Sequence, residues 1–281
     1  MGYSESGKII DISLKSDNYL IKQNSNIIME LSEKVILLTG ASGGIGKPLF
    51  EHLNGNAKVL IGSGRKNLQD FTRIKEDEKF NYIPMDLNSE DDIKFLFSYI
   101  IDEYGRLDTV INTIGGSLFS HPIEEFTIEE YDKVIDTNLK TAFMLTKESI
   151  KYMKRNGDLG GHILHFVSSS SKDVSHNKAP YGIAKAGLEA LIKYSAYESA
   201  KYNIKVNGIS PTYVFTERHE KEIELESRRT NKTKEEIEEK IMAGQLLKRK
   251  LYPQDIFPLV DLLINTEVIT GKIYECTLGK T

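Results

Sequence analysis

The chain has 281 residues, 40% of them hydrophobic and 28% charged, which is enough for one sizeable core. With 37 basic and 41 acidic side chains the net charge is -4, so no basic excess draws it to nucleic acid or to an anionic membrane, and a small-molecule partner is expected. Cys276 is the only cysteine, which excludes an intrachain disulfide.

Residues 1–30 are polar, rich in Ser, Asn, Lys and Asp, and are expected to extend outside the main fold. Met1-Gly2-Tyr3-Ser4-Glu5-Ser6 formally fits an N-myristoylation pattern, a short pattern that also arises by accident. The stretch lacks the basic region and apolar core of a secretory signal, and apolar runs such as Val35 to Leu38 are too short to cross a bilayer. A cytoplasmic location is therefore expected.

From Lys34 onward, short β-branched apolar runs alternate with longer helix-like segments, the pattern of a parallel sheet with helices on both faces. The expected strands are Val35–Leu38, Lys58–Ile61, Asn81–Pro84, Thr109–Asn112, His162–Val167, Lys205–Ile209 and Lys272–Cys276. Thr127 with Glu130 and Thr233 with Glu236 fit capping boxes that start helices. The stretch Glu217 to Lys250, dense in Glu, Lys and Arg, reads as a solvated helical face. No internal repeat or second domain is visible, so residues 31–281 are expected to form one α/β domain.

Directly after the first strand comes Thr39-Gly40-Ala41-Ser42-Gly43-Gly44-Ile45-Gly46, followed by a helix through Leu49 and Leu53. Glycines in this order let the backbone approach a pyrophosphate, while unpaired N–H groups at the helix start face its charge. A purely structural turn would also produce the cluster; its place between strand and helix favours the phosphate site. The second strand ends Leu60-Ile61-Gly62-Ser63-Gly64-Arg65-Lys66, a hydroxyl and two cations where an acidic residue would hold an unphosphorylated ribose. NADP(H) is therefore favoured over NAD(H), through Ser63 and Arg65. Met85-Asp86-Leu87 follows the third strand, within reach of an adenine.

Tyr181-Gly182-Ile183-Ala184-Lys185 opens a helix whose spacing continues through Leu188, Leu191 and Ile192, so Tyr181 and Lys185 share one face. A phenol near its ordinary pKa of about 10 is a poor proton relay at neutral pH, and a neighbouring ammonium favours the phenolate. Such a pair is usually incidental on a helix. Here, however, the strand His162 to Val167 ends in Ser168, Ser169, Ser170 and Ser171, with Ser168 lying 13 residues before Tyr181.

With these residues in place the chain resembles the short-chain dehydrogenase/reductase family from about Leu31 to Gly279. Thr39, Gly40, Gly44 and Gly46 match its TGxxxGxG turn, Asn112-Thr113-Ile114-Gly115 its NxxG strand end, and Asn138 its helix Asn; Ser168, Tyr181 and Lys185 complete a tetrad. The resemblance implies a Rossmann-type doubly wound parallel sheet of about seven strands. It also implies a homodimer or homotetramer through the helices that contain Asn138 and Tyr181.

By the same resemblance Tyr181 is the general acid in reduction, Lys185 lowers its pKa and binds the nicotinamide ribose, and Ser168 hydrogen-bonds the substrate oxygen. Asn138 holds a water leading from Lys185 to solvent. The cofactor would further touch Ser42, Ile45, Asp86, Leu87, Asn112, Gly115, Pro211, the Val214 backbone and the Thr216 hydroxyl. No metal is expected, since His162, His165 and His176 are scattered across a strand and loop without ligand spacing, and His165 reads as a packed or hydrogen-bonded histidine.

Three departures stand out. Gly40, Gly43 and Gly46 also fit the TGxxGxxG form of the family's epimerase and dehydratase branch, which the short Ser168-to-Tyr181 spacing disfavours. The usual PG dipeptide is Pro211-Thr212, and the usual DGG ending is Thr277-Leu278-Gly279. Ser169 remains an alternative hydroxyl to Ser168. The expected function is an NADP(H)-dependent carbonyl or alcohol oxidoreductase, with residues 217–247 as its substrate lid. A 3-oxoacyl thioester reductase is the narrower alternative, and a non-catalytic dinucleotide-binding regulator the rival.

Overall fold

The computed structural model describes residues 29–65 and 80–280. Lys66 and nearly all of the polar extension, with its myristoylation pattern, lie outside the described residues.

Seven parallel strands form one sheet in the order β3-β2-β1-β4-β5-β6-β7. They are β1 (Val35–Thr39), β2 (Val59–Gly64), β3 (Phe80–Pro84), β4 (Thr109–Asn112), β5 (Gly161–Phe166), β6 (Ile204–Pro211) and β7 (Ile273–Cys276). Every expected strand forms, displaced by at most three residues at an end. Parallel strands covered by helices must be apolar on both faces, and β1 is buried from end to end.

Side-chain alternation divides the core. Val35, Leu37, Val110, Ile163 and Val206 point to one face and Ile36, Leu38, Ile111, Leu164 and Ile209 to the other. The first face is covered by α2 (Glu90–Tyr104), α4 (Thr141–Met153) and α5 (Ala179–Ser199), and the second by α1 (Gly46–Leu53) and α8 (Phe257–Asn265). In α2, Ile93, Leu96, Phe97 and Ile100 form the buried stripe. That helix starts where the Ser89 hydroxyl accepts from Asp92 N and ends at Gly105 in the left-handed region.

Both expected capping boxes form, Thr127/Glu130 at the start of α3 (Ile128–Ile135) and Thr233/Glu236 at the start of α7 (Lys234–Met242). The charged stretch is solvated as expected: α6 (Glu217–Thr230) buries only Ile223 and α7 buries nothing.

The amino ends of the strands are pinned by buried charge. Lys34 Nζ donates to Ile264 O at 2.5 Å and to Asn265 Oδ1 at 2.9 Å, Asp108 accepts from Val35 N and Arg106, and Lys205 pairs with Glu267. His162 Nε2 donates to Thr266 O at 2.9 Å. These contacts tie β1, β4, β5 and β6 to the end of α8 and leave the opposite, carboxyl ends free. Strand order reverses between β1 and β4, and in open α/β sheets the carboxyl-end crevice at such a reversal is where ligands bind.

Candidate active site

The carboxyl ends of β1, β4, β5 and β6 carry Thr39, Asn112, Ser168 and Pro211 into that crevice. The glycine turn follows β1. Gly40 has φ +75, a conformation L side chains avoid, and a Cβ there would meet Thr113 Oγ1 at 2.7 Å. A Cβ on Gly46, the first residue of α1, would run into the Gly40 carbonyl, and one on Gly44 would lie 2.8 Å from Thr216 Oγ1. Three glycines therefore keep a backbone cradle at the amino end of α1 closely sealed by the loop after β6. An eight-residue helix behind such a cradle offers unpaired N–H groups to an anion, and the residues fit a dinucleotide pyrophosphate. Ile45, at the cap position of α1, is half-buried.

Two expected cofactor contacts change. The Ser63 hydroxyl is fully buried and donates to Ile83 O at 2.9 Å, while its carbonyl accepts from Gly40 N and Ala41 N. Its side chain ties β2 to β3 and is not offered to a 2′-phosphate, because a hydroxyl with no exposed surface serves the sheet. Arg65, next but one, is exposed, and Ser42 lies against the Gly64 position between them. Leu87 is likewise packed in the core, so its side chain is not offered to the cofactor. Asp86 is exposed and caps the following turn by accepting from Asn88 N at 3.2 Å.

The tetrad residues converge. Asn138 sits in a π turn, Asp136–Lys140, between α3 and α4. The wider turn frees the Val134 carbonyl, and Asn138 Nδ2 donates to it and to Gly116 O, each at 2.9 Å, while Gly116 N donates to Asn138 Oδ1 at 3.0 Å. A Cβ on Gly115 would lie 2.8 Å from Asn138 Oδ1 and 2.9 Å from Lys185 Nζ. The Lys185 ammonium donates to Phe166 O at 2.8 Å and lies 5.7 Å from the Tyr181 ring centroid. Ser168 lies beside the Tyr181 phenol and favours its charged form, and the Ser168 hydroxyl accepts from Ser170 N at 3.2 Å. Ser169 opens a short 3-10 turn, Ser169–Ser171, and Ser168 caps it.

The electrostatics depart from expectation. Burial raises the Tyr181 phenol above its ordinary value, with the Ser168 hydrogen bond opposing that shift, and burial pushes Lys185 down to about 7. Desolvation penalises both charged forms, and it outweighs any lowering of the phenol by the ammonium. A lysine at about 7 can hold or release a proton at neutral pH, which a surface lysine cannot do.

In the loop after β6, Val214 bridges to Leu251 and Thr216 caps α6. His219 Nδ1 donates to Val214 O at 2.6 Å and its ring lies 4.6 Å from that of Tyr213, fixing the start of α6 to the loop after β6. Gln245, just beyond α7, is buried, an exception to the solvated reading that a polar residue within a charged run does not announce.

His162 and His165 are packed, as expected, and burial pushes each down to about 3. An unfolded chain protonates both near the ordinary 6.5, so the unfolded state binds more protons and stability falls as pH drops from about 6.5 toward 3. The expected loss is about 1.4 kcal/mol per histidine per pH unit. Urea midpoints measured from pH 7.5 to 4 check this; a flat profile would contradict the buried neutral state of both rings.

The comparisons agree with this geometry. A family profile described as enoyl-(acyl carrier protein) reductase matches residues 40–281. An uncharacterised oxidoreductase of Staphylococcus epidermidis is 30% identical over 189 residues, spanning 66% of this chain and 80% of that relative. A provisionally assigned gluconate dehydrogenase from Agrobacterium tumefaciens superposes with TM-score 0.79 at 27% identity, over 90% of this chain and 98% of its own. An actinorhodin polyketide ketoreductase solved with NADPH gives TM-score 0.79 at 25% identity, over 89% and 98%.

The seven-stranded parallel sheet and these likenesses define an oxidoreductase of Rossmann type. The chain belongs to the short-chain dehydrogenase/reductase family, whose members use NAD(P) on small-molecule substrates and commonly oligomerise. Among the described residues no helix is long and apolar enough to cross a membrane, and no cluster of His, Cys, Asp or Glu is arranged to hold a metal.

Proposed function

We propose that the protein is an NADP(H)-dependent oxidoreductase interconverting a carbonyl and a secondary alcohol, with Tyr181 moving the proton. The observation that carries this reading is the buried Lys185 ammonium, held by the Phe166 carbonyl at 2.8 Å and lying 5.7 Å from the Tyr181 ring centroid, with Ser168 beside the phenol. A bound nicotinamide supplies or accepts the hydride. In reduction, Ser168 hydrogen-bonds the substrate oxygen and Tyr181 Oη delivers a proton to it as negative charge grows there. Lys185, pushed down to about 7, returns a proton toward the phenol, and Asn138 holds the Gly116 backbone beside it. Gly40, Ser42, Gly44, Ile45 and Gly46 hold the pyrophosphate. Asp86, the Leu87 backbone, Asn112 and Gly115 line the adenosine and ribose side, and Pro211, Val214 and Thr216 the nicotinamide side.

Arg65 supports the 2′-phosphate preference, being an exposed cation at the end of β2 with no acidic residue in its place. Arg65→Ala is expected to weaken NADPH binding about tenfold or more while leaving NADH within about twofold. Equal effects on both dinucleotides in a fluorescence titration would reject that role. The activity itself is tested by following reduced nicotinamide absorbance with ketones, keto sugars and β-ketoacyl thioesters. Dinucleotide binding without turnover of any of them would favour the regulator. The likeness to a polyketide ketoreductase favours including acyl thioesters, and turnover confined to them would narrow the role to 3-oxoacyl reduction.

Residues 31–281 act as one catalytic domain on this reading, with 217–247 as the lid. Phe143 on α4 and Ile183, Tyr194 and Tyr197 on α5 are large exposed apolar or aromatic side chains, and they support a homodimer or homotetramer through these helices. A single, partly buried cysteine accords with a reducing cytoplasm.

A further inference from the structure

We propose that His165 is the positioning residue that sets the dinucleotide wall of the site, acting as an unprotonated acceptor for the Asn112 side chain. This rests on the dinucleotide-dependent reading above. The case begins with the direction of each hydrogen bond. Ile114 N can only donate, and it donates to Asn112 Oδ1 at 3.0 Å, where Thr39 Oγ1 also donates at 3.0 Å. The amide oxygen of Asn112 is therefore turned toward the two turns, and its Nδ2 points the other way, 3.2 Å from His165 Nδ1. Since Nδ2 donates, Nδ1 of His165 must be bare.

The other ring nitrogen confirms the tautomer. Thr146 Oγ1 donates its proton to Ala142 O at 2.7 Å, so across the 2.9 Å contact with His165 Nε2 it accepts, and the ring proton sits on Nε2. His165 is fully buried and pushed down to about 3, so this neutral form persists across the working pH range.

What this chain of bonds holds is the turn Asn112–Gly116. Thr113 Oγ1 donates to Thr39 O at 2.9 Å and lies against both Gly40 and Gly46, so the turn packs on the glycine cradle. The far end of the turn, Gly116, is clasped by Asn138. His165 also precedes Phe166, whose carbonyl receives the Lys185 ammonium. One imidazole thus links the body of α4 to the turn that borders both cradle and tetrad. A buried amide left without its acceptor would be driven to rotate, and rotation would withdraw Oδ1 from Ile114 and Thr39.

A pair of substitutions separates this acceptor from simple packing. The Asn side chain places an oxygen near the Nδ1 position, whereas Gln reaches the Nε2 position. With wild type, His165→Asn, His165→Gln and Thr146→Val in hand, dissociation constants for NADPH and NADH and thermal midpoints are measured for each. His165→Asn and Thr146→Val are expected to lower the midpoint yet bind the preferred dinucleotide within about threefold of wild type. His165→Gln is expected to bind it at least tenfold more weakly at a comparable midpoint. Equal affinities for the Asn and Gln variants, or a Thr146→Val loss as large as that of His165→Gln, would overturn the role. If wild type itself binds neither dinucleotide, the cofactor reading falls instead, and the two failures are told apart.

Discussion

Tyr181→Phe is expected to lower kcat about a thousandfold while leaving the dinucleotide dissociation constant within about twofold. The phenol oxygen is the only Tyr181 atom that the proton step requires, and the ring that packs beside the Lys185 stem is kept in the variant. Ser168 remains at the strand end and its hydroxyl still accepts from Ser170 N. Steady-state turnover with the best substrate of the panel, alongside a titration by nicotinamide fluorescence, reads both quantities. Turnover within about fivefold of wild type would remove Tyr181 from the proton path. A parallel fall in dinucleotide affinity would assign it to binding.

Lys185→Met should behave in the opposite sense for stability and activity. The ammonium is fully enclosed and its pKa falls from an ordinary 10.5 to about 7, so below pH 7 the folded state carries a desolvated charge that the unfolded chain hydrates. That difference amounts at most to about 5 kcal/mol. Methionine fills similar space without charge, and the Phe166 carbonyl loses its donor, which returns about 1–3 kcal/mol. A net gain on the order of 2 kcal/mol is expected at pH 7, with activity reduced at least a hundredfold.

The pH dependence has a definite sign. Above 7 the wild-type lysine loses its proton in the folded state while the unfolded state keeps it up to 10.5, so the wild type gains stability relative to the variant. The advantage of Lys185→Met should therefore be greatest at or below pH 7, shrink by about 1.4 kcal/mol per pH unit above it, reach zero at about pH 8.5 and reverse toward 10.5. A thermal midpoint that drops on substitution at pH 6.5 would mean that Lys185 contributes to the fold. The present picture is of a residue kept for chemistry at a cost in stability.

Much of this site could be read from the chain because its parts are local. The Gly40–Gly46 turn, Asn112 to Gly115 and the i, i+4 pair of Tyr181 and Lys185 each lie within a few residues, and each is tied to the end of a strand whose β-branched run is plain. The same holds for the Thr127 and Thr233 caps, which need only a partner three residues on. What escaped were properties of contact between distant segments. Ser63 looked like a ligand group because a hydroxyl beside Arg65 has no visible partner in sequence; only the pairing of β2 with β3 brings Ile83 O to it. Likewise, only the fold brings Asn138, in its π turn, to the Gly116 backbone 22 residues away.

The sequence alone therefore determined the succession of strands and helices along the chain and the glycine turn, since periodicity, turn chemistry and short spacings are written along the backbone, while its resemblance to the family pointed to Asn138, Ser168, Tyr181 and Lys185. The tertiary structure decided how those groups are charged and oriented. Burial, which no local pattern specifies, raises Tyr181, pushes Lys185 to about 7 and keeps His165 neutral. Only the stacking of β1, β4 and β5 beside α4 could turn a histidine that read as ordinary core into the acceptor that sets Asn112.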